Sequence, residues 1–554
     1  MCHIVVDGLI PLPCPGSSDR RRDDRAPMGL PTVGAVSDNR KGNLILAGLL
    51  ALFVWPQARI ESASVGRGIH FRVGVDSSLG SNPISGRLLI FMTTNTSRVE
   101  TIQSDWTKLR AVWCCAVEVK NIGAGKRIDV DGDILAFPEA FSKAPVGNYQ
   151  VMALLDTDHS YAYSGMGPGD LHSAVIRVNK LNPAGARSVD LTLTHRVPPE
   201  AHLQDTDSVK LITYRSDLLS AFWGRPIVMR AGVVLPPSYA TETARRYPAV
   251  YVVHGFGGNH SEAWHDRRRR FDKMADGTSP EMIYVYLDAT CPMGHHVFAD
   301  SVNTGPWGSA LTKEFIPHIE RTYRMDAEPQ GRLLTGHSSG GWSTLWLQVN
   351  YPDFFGGTWS TSPDPVDFRN WTGPDLTKTP SENFYWKRDG SARFLIRFGG
   401  KDTITAQDFA RWERVFGDYG GQLASFDAVF SPRGDGGRPM TMFDRDTGAI
   451  DPLVQKAWER FDISKLLKRN WPSLAPKLKG KIHVTVGTLD NIHLEESVYL
   501  LRDTMREVGS DAVFTFLEGR DHFDLYGNKL DWGIAWEMYQ VARPQAKIPD
   551  LSAP

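Results

Sequence analysis

Ser338 stands in the run Gly336-His337-Ser338-Ser339-Gly340, after the apolar stretch Arg332-Leu333-Leu334-Thr335 and before a segment that reaches Tyr351. A serine set between glycines at this spacing, with a strand before it and a helix after it, fits a nucleophile raised above a sheet on a sharp, strained turn. The glycines are sterically required, because a side chain at 336 or 340 would meet the neighbouring strand or helix. Five residues of this kind recur by chance in long chains. The pattern gains weight only if the chain also supplies a base, an acid that orients the base, and backbone N–H groups for a developing oxyanion.

Those partners follow in the order serine, acid, histidine that such sites use. Asp490 lies just past the apolar run Lys481-Ile482-His483-Val484-Thr485-Val486-Gly487. His522 lies in Gly519-Arg520-Asp521-His522-Phe523, after Ala512-Val513-Phe514-Thr515-Phe516-Leu517. Residues 495–508 between them have helical spacing through Val498, Leu501 and Met505. One helix and one strand therefore separate Asp490 from His522, and both would fall at carboxyl ends of adjacent parallel strands, on the sheet edge that carries Ser338. Asp402 is a second candidate acid, because it follows the strand-like run Phe394-Leu395-Ile396-Arg397-Phe398 and the pair Gly399-Gly400. Asp521 is a poor one, since adjacent side chains do not readily form a base–orienter hydrogen bond.

The oxyanion donors are expected in a glycine-rich turn. Ala249-Val250-Tyr251-Val252-Val253 reads as a strand buried on both faces. It runs into His254-Gly255-Phe256-Gly257-Gly258. The N–H of Phe256 or Gly257, with that of Ser339, would make the oxyanion hole. Met282-Ile283-Tyr284-Val285-Tyr286-Leu287 and Gly357-Thr358-Trp359-Ser360 read as further strands. Residues 309–324 read as a helix that Pro317 must kink or restart.

Residues 205 to about 545 resemble the α/β-hydrolases of the putative esterase group, which includes esterase D-like and feruloyl esterase-like enzymes. The stretches that carry the resemblance are residues 254–258, 336–341, 487–490 and 519–522, together with Asn303-Thr304-Gly305-Pro306-Trp307-Gly308. It implies a doubly wound, mostly parallel sheet and a serine hydrolase of carboxylic esters acting through Ser338, His522 and Asp490, with no cofactor and no metal. It implies no substrate, because one fold carries many functions. An acyltransferase on the same scaffold and a non-catalytic binding protein are the rival readings.

An insertion at about 363–480 holds Trp371, Trp386, Trp412, Trp458 and Trp471, with Phe384, Tyr385 and Phe394. These aromatics either line a pocket for an aromatic acid or a sugar, or pack the insertion onto the body. Upstream, from about 65 to 200, helical spacing is absent. Short β-rich runs at 70–75, 87–93, 111–119, 148–155, 173–178 and 188–193 alternate with turn residues, which predicts an all-β sandwich accessory domain. Asp129-Val130-Asp131-Gly132-Asp133 has the start of a calcium loop without its closing Glu, and reads as a polar turn.

Residues 1–64 read as a leader. The twelve residues from Leu44 to Trp55 are apolar, with Arg40 and Lys41 before them and small residues after, the shape of a signal peptide rather than a membrane span. The expected location is secreted or periplasmic, with an N-terminal membrane anchor as the alternative. Five cysteines include the adjacent pair Cys114 and Cys115, which would face opposite ways in a strand, and no Cys-x-x-Cys pair suggests zinc. Lys and Arg number 62 against 63 Asp and Glu, a balance that argues against nucleic acid as a partner. The run Arg267-Arg268-Arg269-Arg270 reads as a solvated helix face, with attraction of anionic substrates as the alternative. The partner expected from all this is a small-molecule or carbohydrate-linked ester.

Overall fold

A computed structural model describes residues 68–549, apart from 81, 160–165, 200–202 and 418. The segment read as a leader, with its apolar run at 44–55 and with Cys2 and Cys14, lies outside the described residues. The described residues fall in one compact unit.

The first nine strands are β1 (His70–Val75), β2 (Ile84–Thr93), β3 (Val112–Ile122), β4 (Arg127–Asp131), β5 (Ala136–Phe137), β6 (Gly147–Asp156), β7 (Leu171–Ser173), β8 (Ile176–Leu181) and β9 (Ser188–Arg196). They pair in the order β4-β1-β9-β7-β6-β2-β3-β5, with β8 also on β6. The sandwich is thus one hydrogen-bonded sheet folded over a shared core, in which Phe71 and Val73 of β1 meet Ile90, Cys115 and Val151. Two details depart from the sequence reading. The run 173–178 is two strands, β7 and β8, both paired to β6 with register irregularities nearby. The supposed polar turn at 129–133 is mostly β4, whose Val130 is buried, and the turn starts only after Asp131.

Strands β2, β3 and β6 are apolar on both faces, and period-two alternation sends successive side chains to different cores. Leu88, Ile90 and Cys115 enter the core of the accessory sheet. Leu89, Phe91 and Cys114 enter a second core shared with the insertion. Cys114 and Cys115 are accordingly buried free thiols on opposite faces.

The second sheet begins with β10 (Val209–Ser216), followed by α1 (Asp217–Trp223), β11 (Ile227–Val234), β12 (Ala249–Val253), α2 (Glu262–Ala275) and β13 (Ile283–Leu287). Two small hairpins come next, β14 (Thr290–Cys291) with β15 (Gly294–His295) and β16 (Asp300–Ser301) with β17 (Gly305–Pro306). The helix expected at 309–324 is α3 (Trp307–Ala310) and α4 (Ile316–Thr322), joined through the π-helical turn Leu311–Phe315, which accommodates Pro317. The chain then forms β18 (Arg332–His337), α5 (Ser339–Asn350) and β19 (Gly357–Thr361). The insertion supplies β20 (Phe394–Phe398), β21 (Lys401–Thr405), α6 (Ala406–Phe416), α7 (Gln422–Phe430), α8 (Pro452–Trp458) and α9 (Ile463–Leu478). Last are β22 (Ile482–Gly487), α10 (Leu494–Glu507), β23 (Val513–Leu517) and α11 (Asn528–Ala542).

The eight sheet strands lie in the order β10-β11-β13-β12-β18-β19-β22-β23. β10, β11 and β13 pair antiparallel in turn, and every pair from β13 and β12 to β22 and β23 is parallel. This crossing between β12 and β13, with helices between parallel strands, is the α/β-hydrolase sheet. Its interior strands read as unbroken apolar runs because both faces are covered. Among the described residues, no helix is long and apolar enough to cross a membrane.

Candidate active site

Ser338 occupies the turn between β18 and α5 at φ 58 and ψ −125, a region that non-glycine residues adopt only when their surroundings force it. The surroundings do so. The Ser338 N–H donates to Thr361 O on β19 at 3.0 Å, and Trp342 N–H donates to Ser338 O at 3.0 Å. Nearly all of α5 is buried, so the helix cannot relax outward. A Cβ at Gly340 would run into Val253 O of β12 and lie 2.7 Å from His254 O. The glycine is there to let the helix start against the neighbouring strand.

The glycine-rich turn after β12 closes with Gly258 N–H donating to Gly255 O at 3.1 Å. It passes directly over Ser338: a Cβ at Gly255 would lie 3.0 Å from Ser338 Cβ and 3.6 Å from its Oγ. His295 Nε2 lies 3.0 Å from His254 O and braces this turn from the β14–β15 hairpin. Phe256 and Gly257 follow within the turn, and Ser339 opens α5, where the first N–H groups of a helix have no partner inside it.

Asp490 and His522 meet. His522 Nδ1 is 2.7 Å from Asp490 Oδ2, and the two residues are 3% and 0% exposed. The imidazole lies against the ring of His337, the residue before Ser338, with centroids 4.4 Å apart. Burial works against the charge on both partners. It is outweighed by their mutual attraction and hydrogen bond, so Asp490 is held below the usual carboxylate range and His522 above the usual imidazole value. His337 is driven the other way, well below the imidazole value, by burial and then by the charge of His522.

The alternative acid does not reach. Asp402 sits on β21 and lies 3.2 Å from His493 Nε2, not beside His522. Asp521 turns away, accepting from Phe523 N–H at 2.9 Å and Asp524 N–H at 2.8 Å.

Three supporting residues escaped the sequence reading. Arg397 of β20 donates from Nε to Asp490 O at 2.9 Å and pairs with buried Glu495 at 2.5 Å. Its backbone N–H donates to Asn491 O at 2.8 Å. Asn491 donates back to Arg397 O at 2.8 Å and accepts the His522 N–H at 3.0 Å. The insertion is thereby stitched to the loops of Asp490 and His522. Asp364, just past β19, accepts the Ser339 hydroxyl at 2.5 Å. Position gave a weak signal for two of them, since Asn491 adjoins Asp490 and Asp364 follows β19, and none for Arg397, which lies inside β20.

The insertion's aromatics mostly pack. Trp371, Trp412, Trp458, Phe384 and Tyr385 are buried, and Trp371 packs edge-on against Phe426 and Trp458. Open depressions of about 410 and 510 Å³ lie on the insertion, lined by residues including Trp386 and Arg393 in one and Thr377 and Lys456 in the other. The basic run is only half solvated. Arg270 is buried, bonding Asp266 at 2.9 Å and Asp531 at 3.1 Å, and Arg269 also pairs with Asp531.

Residues 226–467 match the model of the family described as "Putative esterase". An uncharacterised protein of Bacillus subtilis (strain 168) is 29% identical over 153 residues, 24% of this chain and 56% of that one. An esterase of Mycobacterium tuberculosis (strain ATCC 25618 / H37Rv) is 31% identical over 138 residues, 24% of this chain and 28% of that protein. The chain thus spans between about a quarter and just over half the length of the curated relatives it matches. Among solved structures, a ferulic acid esterase shows 15% identity and a TM-score of 0.38 over 60% of this chain and 98% of that one. An S-formylglutathione hydrolase from Agrobacterium tumefaciens shows 13% identity and a TM-score of 0.35 over 60% and 95%.

Proposed function

We propose that this chain, whose residues 226–467 fall in the putative esterase family, is a serine hydrolase of carboxylic esters. The observation that carries the proposal is the buried Asp490–His522 pair set beside the strained Ser338 turn. In this mechanism His522 takes the Ser338 proton as Oγ attacks the ester carbonyl. Asp490 holds the proton on Nδ1, leaving Nε2 as the base, and stabilises the imidazolium. The tetrahedral oxyanion is received by the N–H of Ser339 and that of Phe256 or Gly257. Collapse passes the proton from His522 to the leaving alcohol. Water then attacks the acyl-enzyme by the same route in reverse.

Residues 65–200 are proposed to be an accessory domain and 205–548 a catalytic domain with an insertion at about 363–480. Export is proposed from the leader-like sequence before residue 64, giving a secreted or periplasmic enzyme. N-terminal sequencing of the mature protein would test this; a mature chain that keeps residues 44–55 contradicts cleavage. Turnover of p-nitrophenyl esters by the purified protein and by His522→Ala tests the chemistry. The variant is expected to lose at least about 1000-fold in kcat. Equal turnover by both proteins would remove His522 from the mechanism.

A further inference from the structure

Asp364 carries more than its position requires. It lies in Ser362-Pro363-Asp364-Pro365, past the end of β19, and is 2% exposed. A carboxylate so far from water is costly unless hydrogen bonds and opposite charge meet it. Here they come from the catalytic groups. The Ser339 hydroxyl donates to Oδ2 at 2.5 Å; separately, the Asp364 backbone N–H donates to Ser338 O at 3.2 Å and ties its turn to the serine turn. Burial pushes the carboxyl up to about 6, against the pull of the Ser339 hydroxyl, the charge of His522 and the Ser338 hydroxyl. The relation is mutual, because the Asp364 charge is one of the influences that raise His522.

We propose that Asp364 is a positioning residue of the serine site, acting through Ser339 and through His522. Through its bond to the Ser339 hydroxyl it fixes the residue whose N–H would receive the oxyanion. Through its charge it supports the imidazolium that forms as Ser338 gives up its proton. The inference rests on the proposed roles of Ser338 and His522. It gives the base two carboxylates with different tasks: Asp490 sets the tautomer through a direct bond, whereas Asp364 contributes charge without bonding Nδ1.

The groups that act on His522 are Asp490 from the loop after β22, bonded to Nδ1, His337 from β18, against the ring, and, through charge without a bond, Asp364 and Asp521, the latter turned to the N–H groups of its own loop. Those facing Asp364 are Ser338, Ser339, His522 and Asp490. Removing the Asp364 charge takes away one influence favouring the imidazolium, so the base stays neutral to lower pH. The acid limb of the kcat/KM profile must then move down, not up. A residue that merely packed the turn would not move it.

Asp364→Asn keeps an acceptor for the Ser339 hydroxyl and removes the charge. It is expected to lower kcat about tenfold or more with KM little changed, and to shift the acid limb down by about one pH unit. Ser339→Ala keeps the charge and removes the donor, and is expected to lower kcat with the acid limb unmoved. An Asp364→Asn profile that overlays the parent overturns the proposal. If that variant does not fold, Ser339→Ala decides: a lowered kcat at unchanged KM supports the positioning role, and an unchanged kcat overturns it. Ser338→Ala measured alongside separates the two levels. If it is inactive while Asp364→Asn leaves the profile unmoved, only the inference about Asp364 fails. If Ser338→Ala retains turnover, the underlying mechanism fails.

Discussion

At the scale of single residues, the site is organised by buried charge. Asp490 is held below and His522 above their ordinary values because each is the other's counter-charge in a place water does not reach. His522 must be neutral to accept the Ser338 proton. Activity should therefore rise with pH, with the midpoint of the acid limb of kcat/KM above the ordinary imidazole value of about 6.5. A midpoint below that value would contradict the coupling. Asp490→Asn should lose on the order of 10⁴-fold in kcat, the cost of a wrong imidazole tautomer, and should lower the melting temperature, because His522 loses its buried counter-charge. Asp402→Asn should leave kcat unchanged, since Asp402 reaches His493 and not the base; a large loss there would reverse the assignment of the acid.

At the scale of elements, the parts legible in the sequence were those set by local rules. The turn at Ser338 was legible because its glycines answer a steric demand, and Gly340→Ala is expected to cost about 3 kcal/mol or more, read as a fall in melting temperature. That the loops of Asp490 and His522 fall on one edge of the sheet was legible because an apolar run ending in a polar loop marks the carboxyl edge of a parallel sheet. The bonding of Arg397 to the Asp490 loop was not legible. Those residues are 93 positions apart, and nothing local says that β20 of the insertion reaches the loop after β22. Asp364 was hidden likewise, because Ser362-Pro363-Asp364-Pro365 reads as an ordinary turn. The tie through Arg397 has a testable consequence. Arg397→Ala leaves Glu495 buried without its cation and should destabilise the protein by about 3 kcal/mol. Arg397→Met with Glu495→Leu should recover much of the melting temperature but not kcat, because Asp490 O still lacks its donor. Full recovery of kcat in the double variant would show that the contact serves stability alone.

At the scale of the whole molecule, the accessory sheet is built into the core. Buried Arg87 of β2 donates to the carbonyls of Arg414 and Val415 in the last turn of α6, each at 2.8 Å, where a cation also meets the negative end of the helix. Trp106, which precedes β3, packs its ring 5.4 Å from Phe523, the neighbour of His522, and 5.9 Å from Phe398, the neighbour of Arg397. The composition shift near residue 200 marked an accessory domain but not which core its strands enter, since sequence periodicity reports which face of a strand is apolar but not which core receives it. With Leu89, Phe91, Met152 and Leu154 in the core that also holds Trp412 and Phe416, residues 68–549 should unfold in one calorimetric transition. Two well-separated transitions would contradict that coupling.

The central claim is that Ser338 is a nucleophile activated by His522. Fluorophosphonate labelling of the purified protein, with the modified residue located by mass spectrometry and Ser338→Ala treated in parallel, tests it most directly. The mechanism requires one label, on Ser338, and none on the variant. A folded protein that takes no label at Ser338, or a Ser338→Ala variant that labels as strongly as the parent, would contradict it.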